Sequence, residues 1–241
     1  MGLDQRFWAA VMQDVNGDDS GIDTLPTALA HACLRVLPVA GVMISFSDQL
    51  RIPLGASDAM AVRAERLETT LGDGPCLTAA SGGGPLRATG PLLADRWPVF
   101  HHELLRQTPY RSVVSVPLRS RQQERFGALD LYLLDHDGLG DLDLDEVSVE
   151  VGGSISSILF DQPGDAYRRG QDLPTWLATD AVMDRMAIWI VAGMLMEEGT
   201  LTNAEALSTL RGYAYTHDTT LDELAAQITS QQVTPATVLW P

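Results

Sequence analysis

Residues 112–134 read SVVSVPLRSRQQERFGALDLYLL. An apolar run at 112–118, the polar connection RSRQQER and a second apolar run, FGALDLYLL at 126–134, form the pattern of two strands joined by a hairpin. Strands joined this closely run antiparallel. Upstream, helix and strand signals alternate. Leu25, Ala28, Leu29, Ala32, Cys33 and Val36 share one face of a helix that Thr24 can cap, and VAGVMISFS at 39–47 follows as a strand. AMAVRAERLETTL (59–71) is amphipathic and leads into the glycine-rich LGDGPCLTAASGGGPLRA, PVFHHELL (98–105) is helix-like, and EVSVEVGGSISSILF (146–160) reads as an apolar helix. Antiparallel strands with helices on the faces make an α+β unit.

The segment DQPGDAYRRGQDLP (161–174) is polar, with two prolines and two glycines between apolar stretches, which is how a linker reads. The expected organisation is an α+β domain over 1–162, a linker over 163–175 and an all-α domain over 176–241. The last part reads as three helices at about 175–198, 202–216 and 220–230. Thr202 with Glu205 supplies the T-x-x-E capping box of the second, and Leu207, Leu210, Ala214, Leu221, Leu224, Ala225 and Ile228 recur at helical spacing.

Within the first of these helices, MAIWIVAGMLM (186–196) has no polar side chain. A membrane span needs about 20 apolar residues, and Glu197 and Glu198 end this run too early. With no basic leader before an apolar stretch, the expectation is a cytoplasmic chain without a membrane partner. A run apolar all round is covered on more than one face. One face packs on the bundle's other helices. Another, with Trp176, Trp189 and Ile190, is the expected homodimer interface, the alternative being burial within one chain against the first domain.

The net charge is −16, and every basic residue is arginine. Residues 176–241 carry two of them, Arg185 and Arg211, against eight acids. Nucleic-acid affinity comes largely from cations that displace counterions, so this balance weighs against a polyanion ligand.

Motifs for catalysis or metal binding are thin. Asp135, Asp137, Gly140, Asp143 and Glu146 have calcium-loop spacing, but Leu139 sits where an oxygen is needed; a turn with Asp143 or Asp145 capping the next helix is the simpler reading. SGGGP (81–85) lacks the Lys and Ser/Thr of a phosphate loop. Cys76 with His101 or His102 has no third residue spaced to orient the pair. The expectations are no enzyme activity, no cofactor and no metal, and Cys33 and Cys76 are expected to be reduced.

GDGPCL (72–77), PLRA, DRWPVF (95–100), SVVSVPLR and FGALDLYL appear in an order that resembles the GAF sensor domain as it occurs in actinobacteria, over residues 20–160. The resemblance implies a central antiparallel sheet with helices packed on it. It also places Cys76, Trp97, Phe100 and His101 in the segment beside the ligand pocket, for an unknown small molecule.

The tail, through Arg185, AGMLM (192–196), AEAL (204–207), LRGYAYTHD (210–218) and L-x-x-L-A (221–225), resembles the ANTAR domain over 183–233. That family implies a dimeric three-helix module that binds paired RNA hairpins and prevents transcription termination. Its implied RNA surface is Arg185, Ala192, Gly193, Met194, Arg211, Tyr215, His217 and Thr219, with Tyr215 stacking on an unpaired base or else half-buried in the helix, and Gly193 serving close helix packing or direct contact. The sequence departs from the family's polar and basic positions at Ile190 and at Thr219 or Thr220. The expected function is therefore a signal-responsive RNA-binding antiterminator, with a degenerate tail acting in dimerisation and protein interaction as the alternative.

Overall fold

A computed structural model describes residues 2–17, 25–46, 50–82, 84–137, 143–170, 172 and 174–240. Helices α1 (Leu3–Gly17) and α2 (Leu25–Val36) precede strands β1 (Gly41–Phe46) and β2 (Ile52–Ala56). Helices α3 (Ala59–Leu71) and α4 (Pro75–Gly82), strand β3 (Leu86–Ala88) and helices α5 (Gly90–Arg96) and α6 (Pro98–Gln107) follow. The hairpin read from the sequence is β4 (Ser112–Arg119) with β5 (Arg125–Leu133), antiparallel, Val116 opposite Leu129. All pairings are antiparallel, and the order across the sheet is β2-β1-β5-β4-β3.

Side chains alternate across this sheet, and both faces are covered. Val42, Ile44, Val114, Val116, Leu129 and Leu131 point into one core, shared with Phe7 of α1 and Leu29 and Cys33 of α2. Met43, Val113 and Tyr132 point the other way, into a core with Ala61, Ala64, Cys76, Trp97, Phe100 and Leu104 from α3 to α6. The sheet is thus the middle of three layers.

After β5 the chain returns as one helical run over 144–168: α7 (Leu144–Glu146), α8 (Gly153–Ser156) and α9 (Gln162–Arg168), joined by π-helical turns at Val147–Gly152 and Ser157–Asp161. Asp143 caps its start, accepting from the amides of Asp145 and Glu146. Residues 138–142 of the calcium-like loop, Leu139 and Gly140 among them, lie outside the described residues, as does the expected cap Thr24.

The segment expected to be a linker is helical as far as Arg168, continuing the preceding run; Pro163 directly follows the π-helical turn Ser157–Asp161, the kind of irregular stretch at which a helix takes up a proline. A short 3-10 turn, Thr175–Ala178, follows. Trp176 within it, one of the residues expected at a subunit interface, is 2% exposed and belongs to the first core with α1 and α2, the alternative placement within one chain.

The tail consists of α10 (Asp180–Gly199), α11 (Asn203–Thr216), α12 (Leu221–Thr229) and a short α13 (Pro235–Leu239). Capping boxes open α11 (Thr202 with Glu205) and α12 (Thr220 with Glu223). Ile188, Val191, Ala192 and Leu195 of α10 meet Leu207, Leu210, Leu221, Leu224 and Ile228 in a separate core. Leu50, just ahead of β2, is 1% exposed and belongs to this tail core as well. Among the described residues, no helix is long and apolar enough to cross a membrane.

Candidate functional site

Helix α3 carries the junction between the sheet unit and the tail. Asp58 caps its start, accepting from the amides of Met60 and Ala61, and Gly72 ends it in the left-handed conformation at φ 69°. One face of α3 presents Glu65, Glu68, Thr69 and Thr70, all buried.

Arg185 of α10 reaches into this face. Its Nη2 donates to Glu65 Oε2 at 2.8 Å and its Nη1 to Thr69 Oγ1 at 3.1 Å, while its Nε donates to Asp222 Oδ1 of α12 at 2.9 Å. Nη1 also donates to the Arg51 carbonyl. The guanidinium is 0% exposed. Burial works against its charge, but Glu65 and then Asp222 outweigh that and hold its pKa above the ordinary value. Burial would likewise raise Glu65, yet Arg185 holds that carboxyl below the usual range.

A second buried cluster stands behind the first. Arg51 pairs with Glu68 at 2.9 Å and with Asp130 of β5, and also donates to Ser45. Glu68 in turn accepts from the amides of Cys76 and Leu77 at 2.7 and 3.1 Å, so it caps α4 as well. Burial pushes the Glu68 carboxyl up to about 7, with Arg51 opposing the shift and Asp130 reinforcing it. The GDGPCL motif therefore has a structural account. A Cβ on Gly74 would come within 2.2 Å of Glu68, and Gly72 provides the left-handed helix end.

Further contacts complete the junction. The Leu221 amide at the start of α12 donates to Thr70 Oγ1 at 3.0 Å, so a side chain of α3 helps cap a tail helix. Arg211 Nε donates to the Thr69 carbonyl at 3.3 Å, and the guanidinium lies against Gly72. Partly exposed pairs, Arg106 with Asp218 at 2.5 Å and Arg63 with Glu223 at 3.5 Å, lie at the rim, where such pairs add little stability.

The residues named from sequence fall into three groups. Cys76, Trp97 and Phe100 are packed together with Met43 and Tyr132, filling the space between α3–α6 and the sheet with side chains. Burial raises the Cys76 thiol well above its ordinary value, with Asp130 and Glu68 adding to the shift. His101 is half-buried on α6, and burial followed by His136 lowers its pKa.

Of the eight residues implied for RNA, Arg185 and Ala192 are buried where the tail packs, and the structure does not present them at its surface. Arg211 is half-buried at the junction. Gly193, Met194, Tyr215 and His217 are exposed, and Thr219 is half-buried and donates to Glu223. A Cβ on Gly193 would meet nothing within 4 Å, so close helix packing within this chain does not explain this glycine. His217 stacks on Tyr213 at 3.9 Å between centroids and closes α11.

Of the expected interface residues besides Trp176, Trp189 is half-buried against the tail core and Ile190 is 58% exposed. Met183, Met186 and Met194 are exposed with Ile190, and their spacing places all four on one stripe of α10.

A search of curated proteins finds none that matches. Among solved structures, the GAF domain of a phosphoenolpyruvate-protein phosphotransferase from Coxiella burnetii is similar at 12% identity, covering 69% of this chain and 98% of that one, with a TM-score of 0.46. The corresponding Acinetobacter domain is 12% identical, covering 70% and 98%, with a TM-score of 0.48. A free methionine-R-sulfoxide reductase from Neisseria meningitidis is 16% identical over 70% of this chain and 95% of that one, with a TM-score of 0.40. The family model of the GAF domain matches residues 20–151, which span the sheet and most of its covering helices. More than half of the chain is matched, and the protein belongs to the GAF domain family.

Proposed function

We propose that this protein is a cytoplasmic signal-responsive regulator in which the GAF domain senses and an ANTAR-like helical tail carries the output through protein association, as a homodimer. The carrying observation is the placement of the tail's two arginines. Arg185 is spent on Glu65 and Asp222, and Arg211 lies against Gly72, so neither is presented to a phosphate backbone in this arrangement. The tail instead presents the stripe Met183, Met186, Ile190 and Met194. Exposed apolar area of this kind marks association surfaces, and methionine adapts readily to the surface it meets.

The second reading keeps RNA-hairpin binding and antitermination. It is favoured by the exposure of Gly193, Met194, Tyr215 and His217 among the residues the ANTAR resemblance implies. It requires the junction to open far enough for an RNA backbone, and not only a small molecule, to reach Arg211.

Light scattering on the full chain and its Ile190→Glu variant, with hairpin-RNA binding across a salt series, separates the readings. Association lost in Ile190→Glu with no RNA binding at any salt supports the first. Selective RNA binding that weakens with salt and with Arg211→Ala supports the second and removes the first.

A further inference from the structure

Between the tail and the outer side of α3 and α6 lies a cleft of about 590 Å³. Its walls come from both parts of the chain: Leu71, Pro98, Val99 and Phe100 on one side, Arg211 and Tyr215 on the other. The cleft is separate from the space between the sheet and α3–α6, which Cys76, Tyr110 and Tyr132 fill. Small-molecule sites are typically about 300–1,000 Å³, mostly apolar, with a few convergent polar groups.

The polar group here is unusual. Arg211 is half-buried, its acceptor among the described residues is one carbonyl, that of Thr69, at 3.3 Å, and no carboxylate pairs with it there. Burial lowers its pKa, with no neighbouring acid offsetting the shift. In a chain with twice as many acids as bases, a desolvated guanidinium without an anion is the exception. Its planar fork matches a carboxylate two bonds at a time. Asp73, which follows α3 and also lines the cleft, sets a limit: its negative charge disfavours a ligand carrying more than one. The exposed part of the Tyr215 ring and the Pro98 and Val99 side chains suit a flat or extended apolar body.

We infer that this junction cleft binds a small organic monocarboxylate, its carboxylate on Arg211 and its apolar body against Val99, Pro98 and Tyr215. The occupant would touch the GAF domain and the tail at once. The site does not depend on which output the tail has.

Calorimetry on the full chain tests this with benzoate, 2-naphthoate and octanoate, their neutral amides, and inorganic phosphate. At least one carboxylate is expected to bind saturably and its amide about tenfold or more weakly, because the charge-assisted pair is lost. Arg211→Gln should weaken the carboxylate by a similar factor and leave the amide unchanged. Ser208→Trp, at an exposed position on the cleft wall, should block both while keeping Arg211 in place. It decides the matter if Arg211→Gln does not fold. No saturable carboxylate binding, equal binding of acid and amide, unchanged affinity in Ser208→Trp, or phosphate binding tighter than every carboxylate would each overturn the assignment.

Discussion

Arg185 and Glu65 stand 120 residues apart in sequence and meet at 2.8 Å with both side chains fully buried. Asp222 of the same tail holds the other edge of the guanidinium, so the buried Glu65 charge of α3 meets its cation only when the tail is docked. Removing one partner of a buried pair leaves an uncompensated charge, whereas removing the whole set is far less costly.

Arg185→Met is therefore expected to destabilise the protein by about 3–5 kcal/mol. Adding Glu65→Gln and Asp222→Asn should restore most of that loss. Urea unfolding of the single and triple variants measures both, and a single-variant loss below about 1 kcal/mol would show that the pair does not hold the junction.

The Glu68 carboxyl sets a pH slope. Its folded pKa, about 7, is raised above the ordinary 4.5, so the folded protein retains a proton that the unfolded chain has released. Its contribution is fully present below about pH 4.5, declines as pH rises toward 7, and is flat above; the loss is of order 3 kcal/mol. His101 works the other way, since its pKa is lowered by burial. The difference between the stability–pH curves of wild type and Glu68→Gln isolates the carboxyl. Parallel curves would contradict the shift.

Gly72→Ala meets two obstacles. The residue has φ 69°, and a Cβ there would lie 2.7 Å from Arg211 Cζ. The conformation alone costs roughly 1–2 kcal/mol for an L residue. Unfolding in an Arg211→Ala background should show a smaller penalty than in wild type, because the contact has gone. An equal penalty in both would assign the whole effect to the backbone.

Neither cysteine should react in the native protein. Cys33 and Cys76 are wholly buried, and burial is the main cause raising both thiols, so little thiolate forms at neutral pH. Iodoacetamide labelling followed by mass spectrometry is expected to modify them only once urea unfolds the chain. Native labelling at the rate of a free thiol would place Cys76 in an open pocket after all.

The hairpin of 112–134 was legible because its two apolar runs and polar turn are local signals, and the three tail helices because apolar spacing and capping residues declare them. Strand β2 was not. Pro53 and Gly55 look like turn residues, yet β2 is an edge strand, where proline's missing amide does no harm, and a Cβ on Gly55 would come within 2.3 Å of the Pro26 backbone in α2. The junction was less legible still. Glu65 and Glu68 sit in an amphipathic stretch whose charges read as a solvated face, and their partners Arg185 and Arg51 lie far away in the chain. The available clues were a lone acid, Asp130, inside an apolar strand and a lone cation, Arg185, directly ahead of the apolar run 186–196. Charges kept in such company are retained for a partner, but one sequence does not say which.

Leu50 gives the two-part organisation a different meaning. It precedes an edge strand of the GAF sheet, yet its side chain completes the hydrophobic interior of the tail. A module that is interchangeable between proteins brings its whole interior with it; this one borrows a residue from its neighbour. Grafting the tail behind another sensor would leave a leucine-sized hole unless the new host supplied its own plug at the same place. At Leu50 the sheet unit and the tail thus share one interior, and an exchange of either half has to refill that place.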